Sequence, residues 1–442
     1  MRPELNVEEA RAWLDAHVNL ESTGLPPGAD RRATAPTLKR IEELVRLLGS
    51  PHESYPVIHL TGTNGKTSVA RMTAALLEMS GLSVGTYTSP HLERVNERIA
   101  WNGDPVDDPT LARLLSRIAD VEPHLPERPS YFEILTAAAF AWFSDVAVDV
   151  AVAEVGVGGT WDATNVVDGQ VAVVTNVSVD HVEYLGPTRE EIAAEKAGIV
   201  KPDSTLVLGE TDPALVGAFL ERGARNVLTR GVDFGVAANR PAHAGRLIEL
   251  FTPDARYDEV YLPLHGAHQA DNAAAALTGA EAFLGRPLSE QVVTDAFAAV
   301  RSPGRLEVVR HQPLVLLDGA HNVTGAEALR AALMEEFPSS PRTFVVGLLR
   351  EKEPHEMLAA LDAQHAARLI CCRPPSPRAL DPAAVAAAAV DLGMNPARVE
   401  TFETVEEGVR RALAVTDADQ QIIVTGSLYV VGEARHALLH SV

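Results

Sequence analysis

Short apolar runs rich in branched residues recur along the first half of this chain, at Val57–Leu60, Val84–Tyr87, Val148–Val155, Val171–Val177 and Thr205–Leu208, with helical stretches between them. Strands separated by helices return to the same end of a sheet, so the alternation predicts a mostly parallel sheet covered by helices. Ahead of the first run lie a helix over Val7–His17, a Gly/Pro/Arg-rich loop from Gly24 to Pro36, and a helix over Thr37–Leu48 ended by Gly49. Helices around Ala270–Leu284 and Glu290–Val300 precede Arg301-Ser-Pro-Gly-Arg305, whose Pro303-Gly304 turn marks a boundary between domains 1–302 and 303–442. The pattern then restarts with Leu314–Leu317, Thr343–Val346, Arg368–Cys371 and Ile422–Thr425, separated by helices over Gly325–Phe337 and Pro382–Leu392. A smaller, Rossmann-like α/β domain follows, and 442 residues suffice for both.

Composition removes several function classes. Asp+Glu of 60 against Lys+Arg of 38 leaves a formal charge of -22, which repels a phosphate backbone in the absence of a segregated basic patch, and none is evident. No nucleic-acid partner is expected. The two cysteines, Cys371 and Cys372, are neighbours that cannot join distant segments and are too few for a zinc cage, which predicts a reduced cytoplasmic setting. The start carries acids where a signal peptide needs a basic and then an apolar run, and no stretch approaches the roughly 20 apolar residues of a membrane span.

The sharpest motif is Val57-Ile-His-Leu-Thr-Gly62-Thr-Asn64-Gly65-Lys66-Thr67-Ser68, a strand entering a glycine loop and then a helix. Small residues allow consecutive N–H groups to curl round phosphate oxygens. The helix N-terminus adds positive potential, Lys66 reaches the terminal phosphates, and a hydroxyl of Thr67 or Ser68 faces magnesium. Leu60 stands where the full phosphate-loop pattern has its first Gly. A magnesium nucleotide needs oxygen ligands from strand ends. Glu154, closing an apolar run and followed by Gly156, Gly158 and Gly159, has that placement, and Ser89 and His181 also follow apolar runs. A solvated loop acid, a turn serine and a structural histidine are the plain alternatives for these three.

Together these residues resemble the folylpolyglutamate synthase and dihydrofolate synthase branch of the Mur ligase family. The resemblance rests on Ile58-His-Leu-Thr-Gly-Thr-Asn-Gly-Lys-Thr67, Thr88-Ser-Pro-His-Leu92, Tyr131-Phe-Glu133, Glu154-Val-Gly-Val-Gly-Gly159 with Asp162-Ala-Thr-Asn165, Asp180-His181, Glu195-Lys-Ala-Gly198, Asp318-Gly-Ala-His-Asn322 and Gly426-Ser-Leu-Tyr429. It implies that Asn64, Gly65, Lys66, Thr67 and Ser68 hold the ATP phosphates and that Ser89, Glu154 and His181 bind magnesium. By the same resemblance Asn272 meets the adenine side, and Arg305 and Asp318 reach the phosphates and ribose. His321 and Ser427 lie near the glutamate site, while Tyr131, Phe132, Glu133, Trp161, Asp162 and Ala163 line a pterin pocket. Lys196 corresponds to a lysine used as a carbamate, an anion beside the metal; a solvated helix lysine is the alternative, but Ile192 and Ala193 offer it no upstream acid. Departures from the family pattern are Thr160 and Val323 in place of Arg and Pro, Glu351-Lys352-Glu353 in place of Asp-Lys-Asp, and a poor match around Thr34–Pro36, where the dihydropteroate-specific loop falls.

The implied chemistry is ligation. ATP phosphorylates the pteroyl carboxylate, Lys66, Arg305 and the metal stabilise the charge, and the amine of L-glutamate attacks the acyl phosphate; addition to dihydropteroate and addition to reduced folates are alternatives. Closure of a second domain would shield that intermediate from water. A monomer is expected. Two rivals are a murein-precursor ligase, for which about sixty residues before the loop leave no room for a nucleotide-sugar domain, and a non-catalytic nucleotide-binding regulator, in which Glu154, Lys196 or Arg305 should have decayed.

Overall fold

The computed structural model describes residues 4–24, 37–338 and 341–440. Most of the predicted Gly24–Pro36 loop, including Thr34–Pro36, lies outside the described residues. The chain divides into two compact units. One comprises Met1–Asn239, Leu247–Leu262 and Gln269–Val300; the other comprises Arg240–Arg246, Pro263–His268 and Arg301–Val442.

In the first unit, β1 (Val57–Thr61), β2 (Val84–Tyr87), β3 (Ile99–Trp101), β4 (Asp104–Pro105), β5 (Val150–Glu154), β6 (Val171–Val174), β7 (Thr205–Leu208) and β8 (Asn226–Thr229) form one sheet in the order β4-β3-β2-β5-β1-β6-β7-β8. Pairing from β2 through β8 is parallel, and β3 and β4 add an antiparallel edge. Every residue of β1 and β5 is buried, which is why these strands read as unbroken apolar runs rather than alternating ones. The edge strands carry no such run and escape the sequence pattern: β8 is only partly covered, and β4 is exposed. Also unannounced is a three-stranded sheet of β9 (Gly235–Ala242), β10 (Gly245–Phe251) and β11 (Arg256–Leu262).

The helix Lys66–Met79 follows β1 directly. The helix Tyr131–Asp145 starts where Ser130 accepts from Glu133 N and the Glu133 carboxylate accepts from Ser130 N, a reciprocal cap that satisfies two otherwise unpaired donors. Because β2, β5, β1 and β6 are parallel neighbours, the loops that follow them all leave the same edge of the sheet. That edge is where ligands bind in open α/β sheets.

The second unit has its own sheet of β12 (Glu307–His311), β13 (Leu314–Leu317), β14 (Arg342–Val346), β15 (Arg368–Cys372), β16 (Val399–Phe402) and β17 (Gln421–Thr425), in the order β12-β13-β17-β14-β15-β16. All neighbours are parallel except the polar edge strand β12. Leu316, Phe344, Val346, Leu369 and Ile423 from the sheet pack with Leu329, Leu333, Met357, Leu358 and Val385 from the helices in one core. The observed helices Val323–Glu336 and Pro382–Asp391 differ from their sequence-predicted spans by one or two residues at an end.

Candidate active site

Strand β1 delivers the chain into a loop that is fastened from the neighbouring strand. Thr175 Oγ1 donates to Asn64 O at 2.6 Å, Asn176 Nδ2 donates to the same oxygen at 2.9 Å, and Asn64 N returns a bond to Asn176 Oδ1 at 3.1 Å. Thr63 N donates to Asn176 O at 2.9 Å. The approach is so close that a Cβ on Gly62 would fall 1.8 Å from Thr175 Oγ1, and one on Gly65 would fall 2.4 Å from Asn272 Oδ1. Asn272 therefore sits against the loop, though it is distant in sequence. Gly65 is left-handed, with φ +85°, and no side chain caps the helix that begins at Lys66. The N–H groups and positive dipole end of a helix N-terminus are where anions bind. Lys66 Nζ folds back on the loop, donating to Gly62 O at 3.0 Å and Thr63 O at 3.2 Å, and Ser68 is buried in the same turn.

Glu154 ends β5 opposite Leu60 of β1 and is 1% exposed. Its carboxylate accepts from Thr67 Oγ1 at 2.9 and 3.0 Å and from Ser89 N at 3.3 Å. A buried oxyanion, the hydroxyl of the phosphate loop's helix and the Ser89 segment therefore meet, and such hard oxygen donors fit magnesium. Among the described residues no group of three or more His, Cys, Asp or Glu side chains is gathered for a metal, so a cation here would draw on hydroxyl and phosphate oxygens as well. His181 is not joined to this cluster. It occupies a left-handed position, φ +50°, ahead of the helix Val182–Leu185, with its ring near Glu183 at 3.9 Å and against Tyr184.

Lys196, at the end of the helix Arg189–Lys196, is buried and donates to Gly62 O at 2.9 Å. Lys66 and Lys196 thus share one carbonyl. Burial, and next the charge of Lys66, push the Lys196 amine down to about 7. At neutral pH a large share of it is an uncharged nucleophile, whereas an exposed lysine is almost wholly protonated.

The residues assigned by resemblance to the pterin pocket fall into distinct roles. Tyr131 is buried beneath the Arg98 guanidinium, 5.6 Å from its ring centre. Arg98, itself buried, pairs with Glu21 and donates to His91 Nδ1 at 2.9 Å, which ties the segment after Ser89 to Tyr131. Phe132 packs on Tyr87 with ring centres 6.0 Å apart. Glu133 is engaged in its helix cap and accepts from Arg40 Nε at 3.1 and 3.2 Å. Asp162 is buried and accepts from Val157 N at 3.0 Å and from Thr164 N at 2.9 Å, next to a buried Ala163. Trp161 lies apart, against Tyr184. The carboxylates of Glu133 and Asp162 hold local backbone, Glu133 in the Ser-x-x-Glu cap that its sequence spells. The Thr175–Asn176 fastening and Arg98 were missed: Asn176 stands at the exit of an apolar run, but Arg98 carries no sequence signal.

In the second unit, four predicted residues gather at the ends of the paired strands β13 and β17. Asp318 accepts from Leu306 N and Ala320 N, each at 2.9 Å. Burial raises its pKa, while the Arg305 guanidinium opposes the rise. His321 Nδ1 lies 2.9 Å from Gly319 O, and Arg305 also approaches Gly319. Buried Ser427 accepts from Val430 N at 3.3 Å, and Gly426 N donates to Ala320 O, knitting the two strand-end loops together.

Residues 60–280 match the Mur ligase middle domain, and residues 304–428 match the Mur ligase glutamate ligase domain. The chain is 40% identical over 440 residues to a dihydrofolate synthase/folylpolyglutamate synthase of Mycobacterium tuberculosis, covering 90% of this chain and 89% of the relative. A crystal structure of Mycobacterium tuberculosis folylpolyglutamate synthase complexed with ADP and AMPPCP superposes with a TM-score of 0.87 at 41% identity, covering 92% of this chain and 96% of that one. An FPGS–AMPPCP–folate complex superposes with a TM-score of 0.83 at 32% identity, covering 98% and 100%. A fastened glycine loop, a strand-end glutamate bonded to the helix that follows it, and these likenesses along nearly the whole chain place the protein in the dihydrofolate synthase/folylpolyglutamate synthase family of Mur ligases.

Proposed function

We propose that the protein joins L-glutamate to dihydropteroate, to a reduced folate, or to both, at the expense of ATP. The observation that carries the site assignment is the cluster around the phosphate loop, in which Glu154 bonds Thr67 while Lys66 and Lys196 converge on Gly62 O. In this reading residues 1–302 form the ATP-binding domain and residues 303–442 the glutamate-ligase domain.

The loop N–H groups of Gly65–Ser68 bind the triphosphate, Asn64 being assigned beside it with its own N–H held by Asn176, and Lys66 leaves its carbonyl acceptors for phosphate oxygens. A carboxylate oxygen of the pteroyl substrate attacks the γ-phosphorus, the bond to the β-phosphate oxygen breaks, and ADP departs with the electron pair. Lys66 and Arg305 stabilise the oxygens on which charge collects, a contribution that grows in a buried site. The glutamate α-amine, having lost a proton to become neutral, then attacks the acyl carbon; the C–O bond to phosphate breaks with its electron pair leaving on phosphate, and the nitrogen gives up its second proton to the departing phosphate. Asn272 and Asp318 are assigned to the nucleoside, His321 and Ser427 to glutamate, and Tyr131, Phe132 and Trp161 to the pterin, with Glu133, Asp162 and Ala163 shaping that pocket.

Glu154, Ser89 and His181, with Lys196 as a carbamate, would hold magnesium, which neutralises phosphate charge when bound. A neutral Lys196 can form the carbamate directly: its nitrogen bonds the carbon of carbon dioxide and releases one proton. The lowered basicity of the buried amine supports this. We read the protein as a cytoplasmic monomer; among the described residues no helix is long and apolar enough to cross a membrane.

Phosphate release provides the test. It should require ATP, glutamate and a pteroate or folate together. ATP binding without turnover under all acceptor combinations would refute ligation and favour a regulator.

A further inference from the structure

Strand β1 carries two polar side chains within its apolar run, His59 and Thr61, and both are completely buried. Two residues apart on a strand, they point to the same side of the sheet. The residues beside His59 in register are Ala153 of β5 and Ala172 of β6, small enough to leave space for the imidazole. His59 Nε2 lies 2.8 Å from Thr164 Oγ1, and the Thr164 hydroxyl donates its only hydrogen to Asp162 Oδ1. Nε2 must therefore carry the ring proton and donate it, which leaves Nδ1 as a buried lone pair with no partner among the described residues. Burial pushes the imidazole down to about 3, so the ring is neutral at working pH.

The relay ends on backbone. Asp162 Oδ2 accepts from Val157 N at 3.0 Å, and Thr61 Oγ1 donates to Gly158 O at 2.8 Å. The turn following Glu154 is consequently suspended from the two residues that lead into the phosphate loop. Across that turn Phe132 and Asp162 come so near Gly156 that a Cβ there would lie 2.7 Å from the Phe132 ring and 3.2 Å from Asp162 Oδ2.

We propose that His59 is a positioning residue for the pteroyl substrate, acting through Thr164 and Asp162 to hold the 156–158 turn opposite Phe132 in register with the phosphate loop. The inference rests on the assignment of Phe132 and Asp162 to the pterin pocket. An imidazole at this place gives nothing directly to the nucleotide. It supplies a rigid donor that keeps the Thr164 hydroxyl turned toward Asp162, and a hydrocarbon side chain would leave that hydroxyl free to rotate.

Steady-state kinetics of His59→Phe, His59→Gln, Thr164→Val and the double variant His59→Phe/Thr164→Val provide the test, with Phe132→Ala as a reference for the pocket. His59→Phe and Thr164→Val should each raise KM for dihydropteroate or folate about tenfold while KM for ATP stays within about twofold, and the double variant should be no worse than either single one because all three break the same chain. His59→Gln, whose amide nitrogen reaches about as far as Nε2, should restore KM. Equal changes in both KM values, additive effects, or a failed rescue by Gln would assign His59 to general core packing and overturn the proposal. Should His59→Phe fail to fold, Thr164→Val carries the same comparison. If Phe132→Ala leaves the pteroyl KM unmoved, the pocket assignment itself is wrong and the relay's role falls with it. If Phe132→Ala raises that KM and the relay variants do not, only the relay is refuted.

Discussion

Replacing Lys196 with Met is expected to stabilise the folded chain while ending ligation. The amine is buried and hydrogen-bonded to a single carbonyl, Gly62 O at 2.9 Å, which Lys66 also uses. Burial first, and the Lys66 charge second, lower its pKa from 10.5 to about 7. The unfolded chain keeps the ordinary value, so between pH 7 and 10.5 it binds more protons than the folded chain. Stability accordingly rises with pH through that window and is lowest, and level, below it. At about 1.36 kcal/mol per pH unit the whole window corresponds to about 5 kcal/mol. Methionine has similar length and no charge to desolvate, so at pH ~6 the variant should be more stable by roughly 4 kcal/mol, after about 1 kcal/mol is subtracted for the lost hydrogen bond. Urea unfolding of both proteins in buffer stripped of carbon dioxide gives the assay. The advantage of the variant should shrink by about 2–3 kcal/mol between pH ~6 and ~9, because only the wild type titrates. Parallel stability curves over that range, or a variant less stable at pH ~6, would refute a buried, depressed lysine.

Three further outcomes are expected. Lys66→Ala and Glu154→Ala should each reduce ligation at least about a hundredfold with unchanged circular dichroism, since each removes a charge assigned to the reacting phosphates or their counter-ion; near-normal turnover in either would overturn the site. Gly62→Ala places its Cβ 1.8 Å from Thr175 Oγ1 and should push the phosphate loop off Asn176, weakening ATP binding at least about tenfold by calorimetry, whereas wild-type affinity would show that the loop can move at no cost. Cys371 and Cys372 are buried and their thiols are pushed up to about 12, so iodoacetamide at pH ~8 should label them only in denaturant. Labelling of the native protein would contradict the packing of β15.

What the sequence disclosed about this fold follows burial. The central strands β1, β5, β6, β13 and β17 are covered on both faces and appear as branched apolar runs, and the glycine loop after β1 is a local feature whose consequences are local. Edge strands such as β4, β8 and β12 have one side open, so hydrophobicity does not mark them. The strands β9–β11 escape the apolar-run pattern for a related reason: the burial of β10 alternates, and β9 and β11 are partly open to solvent with polar residues along them.

The amino-acid sequence by itself determined which chemical groups are present, the helix caps such as Ser130–Glu133, and the order of strand, glycine loop and helix, because these depend on neighbours a few residues apart. Only the tertiary structure decided which groups meet. Thr67 and Glu154 are 87 residues apart, and Lys196 and Gly62 are 134 apart, yet both pairs share hydrogen bonds. Proximity of that kind comes from closing long loops through packing of the sheet. It is also what removes water from Lys196 and His59 and sets their protonation, so the chemistry of the site is a property of the folded chain.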